Sequence, residues 1–305
     1  MARRKKRSLK NRITVGDVIN VIVLLAFTFL CFYPFWYIFI GSVSNPNIPV
    51  RTLTFLPKDV TLFNYKEVLQ SKGLLEAMGI SVARTVSGTL LSVILTAFMA
   101  YLFTLQKMPA RKFFYRVVIV TMYLSGGLIP TFLVYKSYGL LNTFWVYIIP
   151  GAVSVYNMVL VKTFLENGIP ESLGESASLD GAGPLTIFFR IMLPLSLPIL
   201  ATIALFVAVG QWNSWFDNMI YNTGNSNLDT LQYLLYKKLN EANKIAEAAR
   251  SGNVSMVGDL SKQMQLTPDS IRMTITMLVT LPIVCVYPFL QKYFVKGIMV
   301  GAVKG

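Results

Sequence analysis

Six long stretches of this chain contain no Asp, Glu, Lys or Arg, and this feature constrains the fold more than any other. They cover residues 18–50, 85–106, 117–135, 137–161, 191–216 and 273–291. Because a helix rises about 1.5 Å per residue, about 20 apolar residues cross the roughly 30 Å of hydrocarbon in a membrane. Charged residues make up only 14% of the chain, against roughly 25% in soluble domains. The sequence therefore predicts an all-α membrane protein with six transmembrane helices.

The predicted organisation has a basic tail at residues 1–16, a transmembrane domain at 17–294 and a second tail at 295–305. The helices are expected at about 18–43, 80–105, 114–136, 141–165, 193–216 and 271–292. The first uncharged run, residues 18–50, is too long for the apolar core of a signal peptide, which has roughly 7 to 15 residues. We therefore expect it to stay in the protein as the first membrane helix.

Basic residues are unevenly distributed among the short connections. Seven of the 28 lie in the first twelve positions, and residues 107–116 add four more, whereas the connection after the third span has only Lys136. The positive-inside rule then predicts a cytoplasmic N-terminus, and six crossings return the C-terminus to the same side. A nucleic-acid-binding arm would account for the first cluster alone, so no nucleic-acid partner is expected.

Several kinds of chemistry are missing from the sequence. It has no histidine, no Gly-rich phosphate loop with Lys-Ser/Thr, and only Cys31 and Cys285, both within predicted spans. These absences predict no catalytic residue and no metal site, and they argue against a membrane enzyme. An ion-coupled secondary transporter is an alternative, although none of the six runs contains the acidic residue that a proton relay would use. A membrane-embedded scaffold is a further alternative.

Two longer connections are expected on the outer side. In the first, residues 64–78 can form a short interfacial helix with an apolar face. The second, residues 217–270, combines a polar turn at 222–227 with a segment at 240–250 whose Ala, Glu and Lys content favours helix. The second connection is either an external lid or docking surface, or a tolerated surface insertion.

The connection at residues 168–192 has the pattern of two short helices joined by a turn. Pro170 suits the first turn of a helix, and Gly181 suits its left-handed end. Pro184 then opens a second helix, and Phe188 lies on its apolar side. A helix-turn-helix DNA reader is disfavoured because the acids in this connection outnumber its single arginine. A plain surface loop remains an alternative.

Small residues around this turn would let another protein approach closely, while Glu175 and Asp180 could accept its hydrogen bonds. The run Glu175-Ser-Ala-Ser-Leu-Asp-Gly-Ala182, followed by Phe188 and Leu193-Pro194, resembles the EAA loop of bacterial ABC importer permeases. Segments 211–217 and 287–305 resemble the MalG-like carbohydrate uptake family, closest to its LplC/YtcP branch. The resemblance implies a MetI-like permease fold with these ATPase-coupling residues: Glu175, Ser176, Ala177, Asp180, Gly181, Ala182, Phe188 and Pro194.

The same resemblance implies a non-catalytic subunit that binds no cofactor itself. A partner ATPase dimer in the cytoplasm would use ATP and Mg, a second homologous permease would complete the pore, and an extracytoplasmic solute-binding protein would deliver the carbohydrate. The chain would then move a carbohydrate, an oligosaccharide for this branch, across the bacterial plasma (inner) membrane by alternating access. Many relatives have Asn-Ser where this chain has Gly79-Ile-Ser81, so no role is transferred to that position.

A set of polar and aromatic residues within the predicted spans could line the substrate pathway. Such residues are tolerated at membrane depth where they face protein or a water-filled cavity, and aromatic rings with amides suit a saccharide. The candidates are Ser125, Tyr156, Asn157, Gln211, Trp212, Asn213 and Trp215. Trp is also a common interfacial anchor, and glycine pairs such as the one after Ser125 also serve helix packing. Both interpretations stay open.

Overall fold

The computed structural model describes residues 15–46, 55–70, 73–250 and 267–302, and the regular elements within these ranges are all helices. In chain order they are α1 (Val15–Ser42), α2 (Phe63–Leu69), α3 (Leu74–Leu102), α4 (Arg111–Thr121), α5 (Leu128–Ser137), α6 (Val155–Gly168), α7 (Glu171–Leu179), α8 (Pro184–Leu195), α9 (Leu197–Asn213), α10 (Phe216–Tyr221), α11 (Leu231–Arg250) and α12 (Pro268–Ala302). Short 3-10 turns lie at Phe144–Tyr147 and Ser226–Leu228. The predicted all-α fold is confirmed.

Three of the described helices are long and apolar enough to cross a membrane. They are α1, α3 and the stretch Asp269–Val286 of α12. A fourth crossing is obtained if α8 and α9, which meet at a bend of 80°, together form one span. Side chains along α1 are largely exposed and apolar, as expected for a helix that faces lipid or another subunit.

The continuous helices predicted over 114–136 and 141–165 are not observed. Non-helical residues 122–127 separate α4 from α5, and Gly127 there has a φ of 79°. The second stretch begins with the 3-10 turn and passes through irregular residues 148–154 before α6. Hydropathy cannot detect such breaks, because the side chains remain apolar while the backbone leaves the helix. Non-helical backbone at membrane depth must be covered by protein or line a water-filled cavity.

Other boundaries also differ from those expected. The interfacial helix predicted at 64–78 is divided, because α2 ends at Leu69 and residues 74–78 belong to α3, which begins six residues before the predicted span at 80. Residues 71–72 lie outside the described residues. The last helix continues to Ala302, past its predicted end at 292 and into the predicted tail. The helix expected at 240–250 is confirmed within α11. The tail residues 1–14 and 303–305 and residues 251–266 lie outside the described residues.

Helix α3 lies at the centre of the packing and contacts both α6 and α9. Its buried positions include several small residues: Ser81, Gly88, Ser92, Thr96, Ala97 and Ala100. Their spacing places these small side chains along one face of α3, and small residues let membrane helices approach closely. At Gly88 a Cβ atom would lie 2.8 Å from Nε2 of Gln211. A larger residue at this position would therefore displace the Gln211 side chain from its place against α3.

Candidate functional site

The turn of the predicted coupling loop, residues 168–192, is closed by two backbone hydrogen bonds. The amide of Gly181 donates to the carbonyl of Ser178 at 3.1 Å, and that of Ala182 donates to the carbonyl of Ala177 at 2.9 Å. This pattern is the Schellman motif, which places its left-handed residue immediately after the helix. Gly181 has a φ of 83°, so the sequence-based assignment of the turn is confirmed.

The predicted coupling residues lie on two sides of this loop. Glu175, Ser176, Asp180 and Gly181 are exposed, and so is Pro194 further along α8. Ala177 and Ala182 are half-buried, and Phe188 is only 2% exposed. The turn is therefore a free tip with acidic and small side chains, while Phe188 faces the core.

Aromatic contacts connect the loop to α3. The ring centroid of Phe188 lies 5.3 Å from that of Phe98 and 5.4 Å from that of Tyr101. The Tyr101 hydroxyl donates to the carbonyl of Pro184 at 3.1 Å. Nε2 of Gln106 donates to Glu171 at 2.6 Å. The loop is therefore packed against α3 through α8 and hydrogen-bonded through α7 to the segment that follows α3.

A second feature is a cavity of about 300 Å³. We call it the outer cavity because it adjoins the ends of the uncharged runs that are predicted to lie on the outer side. Its wall is formed by residues of α3, α5, α9 and α10, of the 3-10 turn and of the irregular stretch 148–154, and it includes Arg84 on α3 and Asp217 on α10. Gly151 of the irregular stretch 148–154 and Gly210 of α9 also contribute to its wall. Part of the non-helical backbone is thus placed beside open space, as the membrane requires.

A buried ion pair lies in the wall of this cavity. Arg84, whose side chain is 3% exposed, pairs with Asp217, whose side chain is 23% exposed. Nη1 of Arg84 donates to Oδ1 of Asp217 at 3.2 Å, and Nη2 donates to Oδ2. The guanidinium also lies 4.4 Å from the centroid of the Tyr147 ring. This geometry compensates the burial of the Arg84 charge and the partial burial of the Asp217 charge.

Gln211 of α9 and Ser214, which directly follows this helix, complete the arrangement. Nε of Arg84 donates to Oε1 of Gln211 at 3.0 Å, and Gln211 in turn donates to the carbonyl of Tyr147 at 3.3 Å. Nη1 of Arg84 also reaches the carbonyl of Ser214 at 3.4 Å. Ser214 has extended backbone between α9 and α10, so Arg84 satisfies a carbonyl group that the helix end leaves without a partner.

Only Gln211 among the seven predicted pathway residues lines the outer cavity. Trp212 is 8% exposed, and its Nε1 donates to the carbonyl of Val279 on α12 at 3.1 Å. Trp215 stacks on Tyr236 at 4.2 Å between centroids, and Asn213 accepts a bond from Gln232. These three residues contact α11 or α12 instead of the cavity.

The remaining three candidates lie on or near other elements. Ser125 is exposed in the break before α5, Tyr156 is exposed on the first turn of α6, and Asn157 is buried beside it. The backbone amide of Asn157 donates to Oγ of Ser154, which caps α6. The structure does not bring these residues together with Gln211, and their role in transport stays a prediction.

Sequence reasoning missed Arg84 and Asp217 as site residues because each directly adjoins an uncharged run. Arg84 precedes the run that starts at Thr85, and Asp217 follows the run that ends at Phe216. The sequence-based prediction places Arg84 within the span at 80–105 and Asp217 at the start of the connection 217–270, and it gives neither residue a role. Since the two runs end on the same predicted side, opposite charges at their outer ends were a usable signal for an ion pair.

The external segment, residues 217–270, is held against α3 as far as it is described. Oγ of Ser81 accepts a bond from the amide of Leu231 at 2.8 Å, and the amide of Tyr233 donates to Thr230, which caps α11. Oδ1 of Asn218 accepts from the amide of Thr230 at 2.6 Å. Ser81, to which no role was transferred from the sequence, therefore anchors the external segment.

These helices, with their broken spans, interior polar site and projecting loop, define a membrane transport subunit. Residues 88–300 match the family model described as binding-protein-dependent transport system inner membrane component. Because the match covers most of the chain, this protein belongs to that family.

Individual relatives agree with this assignment. The chain is 37% identical to Protein LplC of Bacillus subtilis (strain 168), over 95% of each chain. It is 36% identical to the polygalacturonan/rhamnogalacturonan transport system permease protein YtcP of the same organism, over 97% of this chain and 100% of YtcP. A crystal structure of a bacterial ABC transporter involved in the import of the acidic polysaccharide alginate includes a chain that aligns with a TM-score of 0.77 and 28% identity, over 96% of this chain and 100% of that one.

The family assignment confirms the predicted MetI-like permease fold and the predicted class of protein. The chain is a non-catalytic, multi-pass inner-membrane permease subunit of an ABC importer, and a partner ATPase hydrolyses the ATP. It works in an assembly with a partner permease, an ATPase and a binding protein. The alternative of an ion-coupled secondary transporter finds no support in these comparisons.

Proposed function

We propose that this chain forms one half of the pore of a bacterial carbohydrate importer and that its substrate is an oligosaccharide. The names of YtcP and of the alginate transporter refer to polymeric carbohydrates, which supports this substrate class. The observation that carries the mechanism is the path from the exposed turn at Gly181, through buried Phe188, to α3. It provides a rigid connection between a cytoplasmic partner and the packed helices.

In this mechanism a second, homologous permease supplies the other half of the pore. A cytoplasmic ATPase dimer binds ATP and Mg, and its closure displaces the coupling loop. Glu175 and Asp180 on the exposed face accept hydrogen bonds from the ATPase, and the small residues Ala177, Gly181 and Ala182 allow close contact. Binding of ATP thus biases a two-state equilibrium between inward- and outward-facing forms.

The proposed topology has both termini in the cytoplasm and the external segment outside. The third and fourth crossings are made by helices with breaks at 122–127 and 148–154. With this orientation the outer cavity lies toward the side on which a solute-binding protein delivers the oligosaccharide. The coupling loop then lies on the opposite side, as ATPase docking requires.

Reconstitution of the whole importer in vesicles tests this function. Affinity purification in mild detergent is expected to recover an ATPase and a second permease, and the purified assembly is expected to take up oligosaccharide only with ATP and the solute-binding protein. Uptake by this chain alone, driven by a proton or sodium gradient without ATP, would contradict the proposal and favour a secondary transporter.

A further inference from the structure

The positive charge of Arg84 is already neutralised within the outer cavity. Each of its guanidinium nitrogens donates at least one hydrogen bond, to Gln211, Ser214 or Asp217. Its side chain is 3% exposed, so an incoming ligand finds almost no free face. Arg84 is therefore unsuited to receive the carboxylate of an acidic sugar, because such a ligand would first have to displace Asp217.

Asp217 has the opposite character, since part of its carboxylate remains open to the cavity. Oδ1 accepts bonds from the Ser214 hydroxyl at 2.9 Å and from the Asn218 amide at 2.9 Å, in addition to Arg84. Among the described contacts, Oδ2 accepts a bond only from Arg84. Asp217 lines the cavity with 23% of its side chain exposed, and Oδ2, which has spare acceptor capacity, is the oxygen that we assign to a sugar hydroxyl. The negative charge of the Asp217 carboxylate would repel the carboxylate of a uronate.

Tyrosine rings supply the apolar part of the wall. Tyr135 and Tyr221 lie 4.9 Å apart in an edge-to-face arrangement, and both line the cavity. Burial raises the pKa of the Tyr221 phenol, and the Asp217 carboxylate adds to the effect, so this hydroxyl stays protonated and neutral. Aromatic rings offer flat apolar surfaces to the C–H groups of a pyranose, while hydroxyls bond its polar edge.

The size of the cavity limits what it can hold. Its volume of about 300 Å³ lies at the lower end of small-molecule sites, which span roughly 300 to 1,000 Å³. One sugar ring fits this range, whereas a whole oligosaccharide would extend beyond it. The ion pair leaves the wall without net charge, and the cavity therefore suits an uncharged ring.

We propose that the outer cavity is a subsite for one uncharged pyranose ring of the transported oligosaccharide, and that Asp217 disfavours a uronate ring there. This assignment rests on the proposed function. Oδ2 of Asp217 accepts a hydrogen bond from a hydroxyl of the sugar, and Tyr135 and Tyr221 contact the face of the sugar ring. An oligosaccharide with both kinds of ring would enter with a neutral ring in this subsite.

A cysteine-protection assay on the purified importer tests the subsite without depending on transport. In a Cys31→Ser, Cys285→Ser background, Ser214→Cys places one thiol of this chain in the cavity wall. Methyl galactoside is expected to slow modification by a methanethiosulfonate reagent about tenfold at concentrations that occupy roughly nine-tenths of the sites. Galacturonate at the same concentration is expected to protect far less.

Two glycine variants provide the matched comparison. A Cβ added at Gly210 or at Gly79 meets no atom within 4 Å, and both glycines lie within helices. Gly210 lines the outer cavity and Gly79 does not. Gly210→Leu is expected to fill the cavity and abolish protection by methyl galactoside, whereas Gly79→Leu leaves protection unchanged. Asp217→Asn, which keeps an oxygen for Arg84 but leaves its charge uncompensated, is expected to raise protection by galacturonate to at least that of the neutral sugar.

The outcomes separate this assignment from the function on which it rests. Equal protection by both sugars in the Ser214→Cys protein, no protection by methyl galactoside, or protection that survives Gly210→Leu would overturn the subsite. Oligosaccharide uptake could still be normal in each of these cases. If protection follows the expected pattern, the subsite stands, and a failure of ATP-driven uptake by the same importer would refute the transport function alone.

Discussion

Arg84 and Asp217 illustrate how strongly one pair of residues can couple distant elements of a membrane protein. The pair connects the outer part of α3 to the junction of α9 and α10, and it brings Gln211 and Ser214 into the same network. Removal of one partner from a buried ion pair leaves the other charge uncompensated, whereas removal of both leaves a neutral interior. Removal of one member of the pair is thus expected to destabilise the protein more than removal of both.

We predict that Arg84→Met lowers the free energy of unfolding by roughly 3 kcal/mol, because it leaves the Asp217 carboxylate without its partner. The double variant Arg84→Met, Asp217→Leu is expected to recover a large part of that loss. Thermal unfolding of the purified importer in detergent measures both effects. A double variant less stable than Arg84→Met would show that the two charges do not depend on each other.

Trp212 shows the limit of interpreting an aromatic run as a substrate site. Its ring packs between α9 and α12 and donates to Val279, so Trp212→Ala is expected to destabilise the chain by about 3 to 5 kcal/mol. Asn213→Ala, at an exposed neighbour, is expected to change stability little. Trp212→Phe, which keeps a ring, should lie between them. The melting temperatures of the three variants measure these effects. A melting temperature of Trp212→Ala equal to that of the wild type would refute the packing role.

The coupling loop is an element whose shape depends on one glycine. At a φ of 83° an alanine costs roughly 1 to 2 kcal/mol, so Gly181→Ala should distort the turn, and Gly181→Asp adds bulk and charge. Gly183 has an ordinary φ of −72° and open space around it, so Gly183→Ala serves as the control. We expect ATPase retention and sugar uptake to fall only for the Gly181 variants, compared at matched membrane levels.

Charge on α7 provides an independent prediction for the same element. Glu175 is exposed next to the turn, and Glu175→Lys should weaken ATPase binding by placing like charges together if the ATPase surface is basic. Glu241→Lys makes the same charge change on exposed α11, away from the loop. Co-purification of the ATPase should fall for the first variant and stay normal for the second. Equal retention would mean that Glu175 does not contact the ATPase.

At the scale of the whole molecule, the orientation in the membrane can be tested by cysteine labelling. In a background without Cys31 and Cys285, cysteines at positions 60 and 245 are expected to react with an impermeant reagent from outside. Cysteines at positions 5 and 300 should react only after the membrane is opened, because the basic connections are retained in the cytoplasm. Position 5 lies outside the described residues. External labelling at position 5 or 300 would reverse the proposed topology.

The sequence by itself determined the class of this protein and the form of its coupling loop. Uncharged runs of 19 or more residues report on the membrane directly, because hydropathy depends on side chains and not on their partners. The turn at Gly181 was also predictable, since a left-handed residue flanked by helix signals is a local property of the chain. The family motif lies in this same local segment.

Only the tertiary structure decided where the helices break and which residues meet at the outer cavity. The irregular stretch at 148–154 adjoins the outer cavity, whereas residues 122–127 are exposed on the surface of this chain. Arg84 and Asp217 lie 133 positions apart; their places at the ends of two uncharged runs make a pair possible, but only the folded chain brings them into contact. Pairing across such a distance depends on the packing of α3 against α9, which the close approach at Gly88 permits. Long-range hydrogen bonds are properties of the folded chain, so local patterns in the sequence could not supply them.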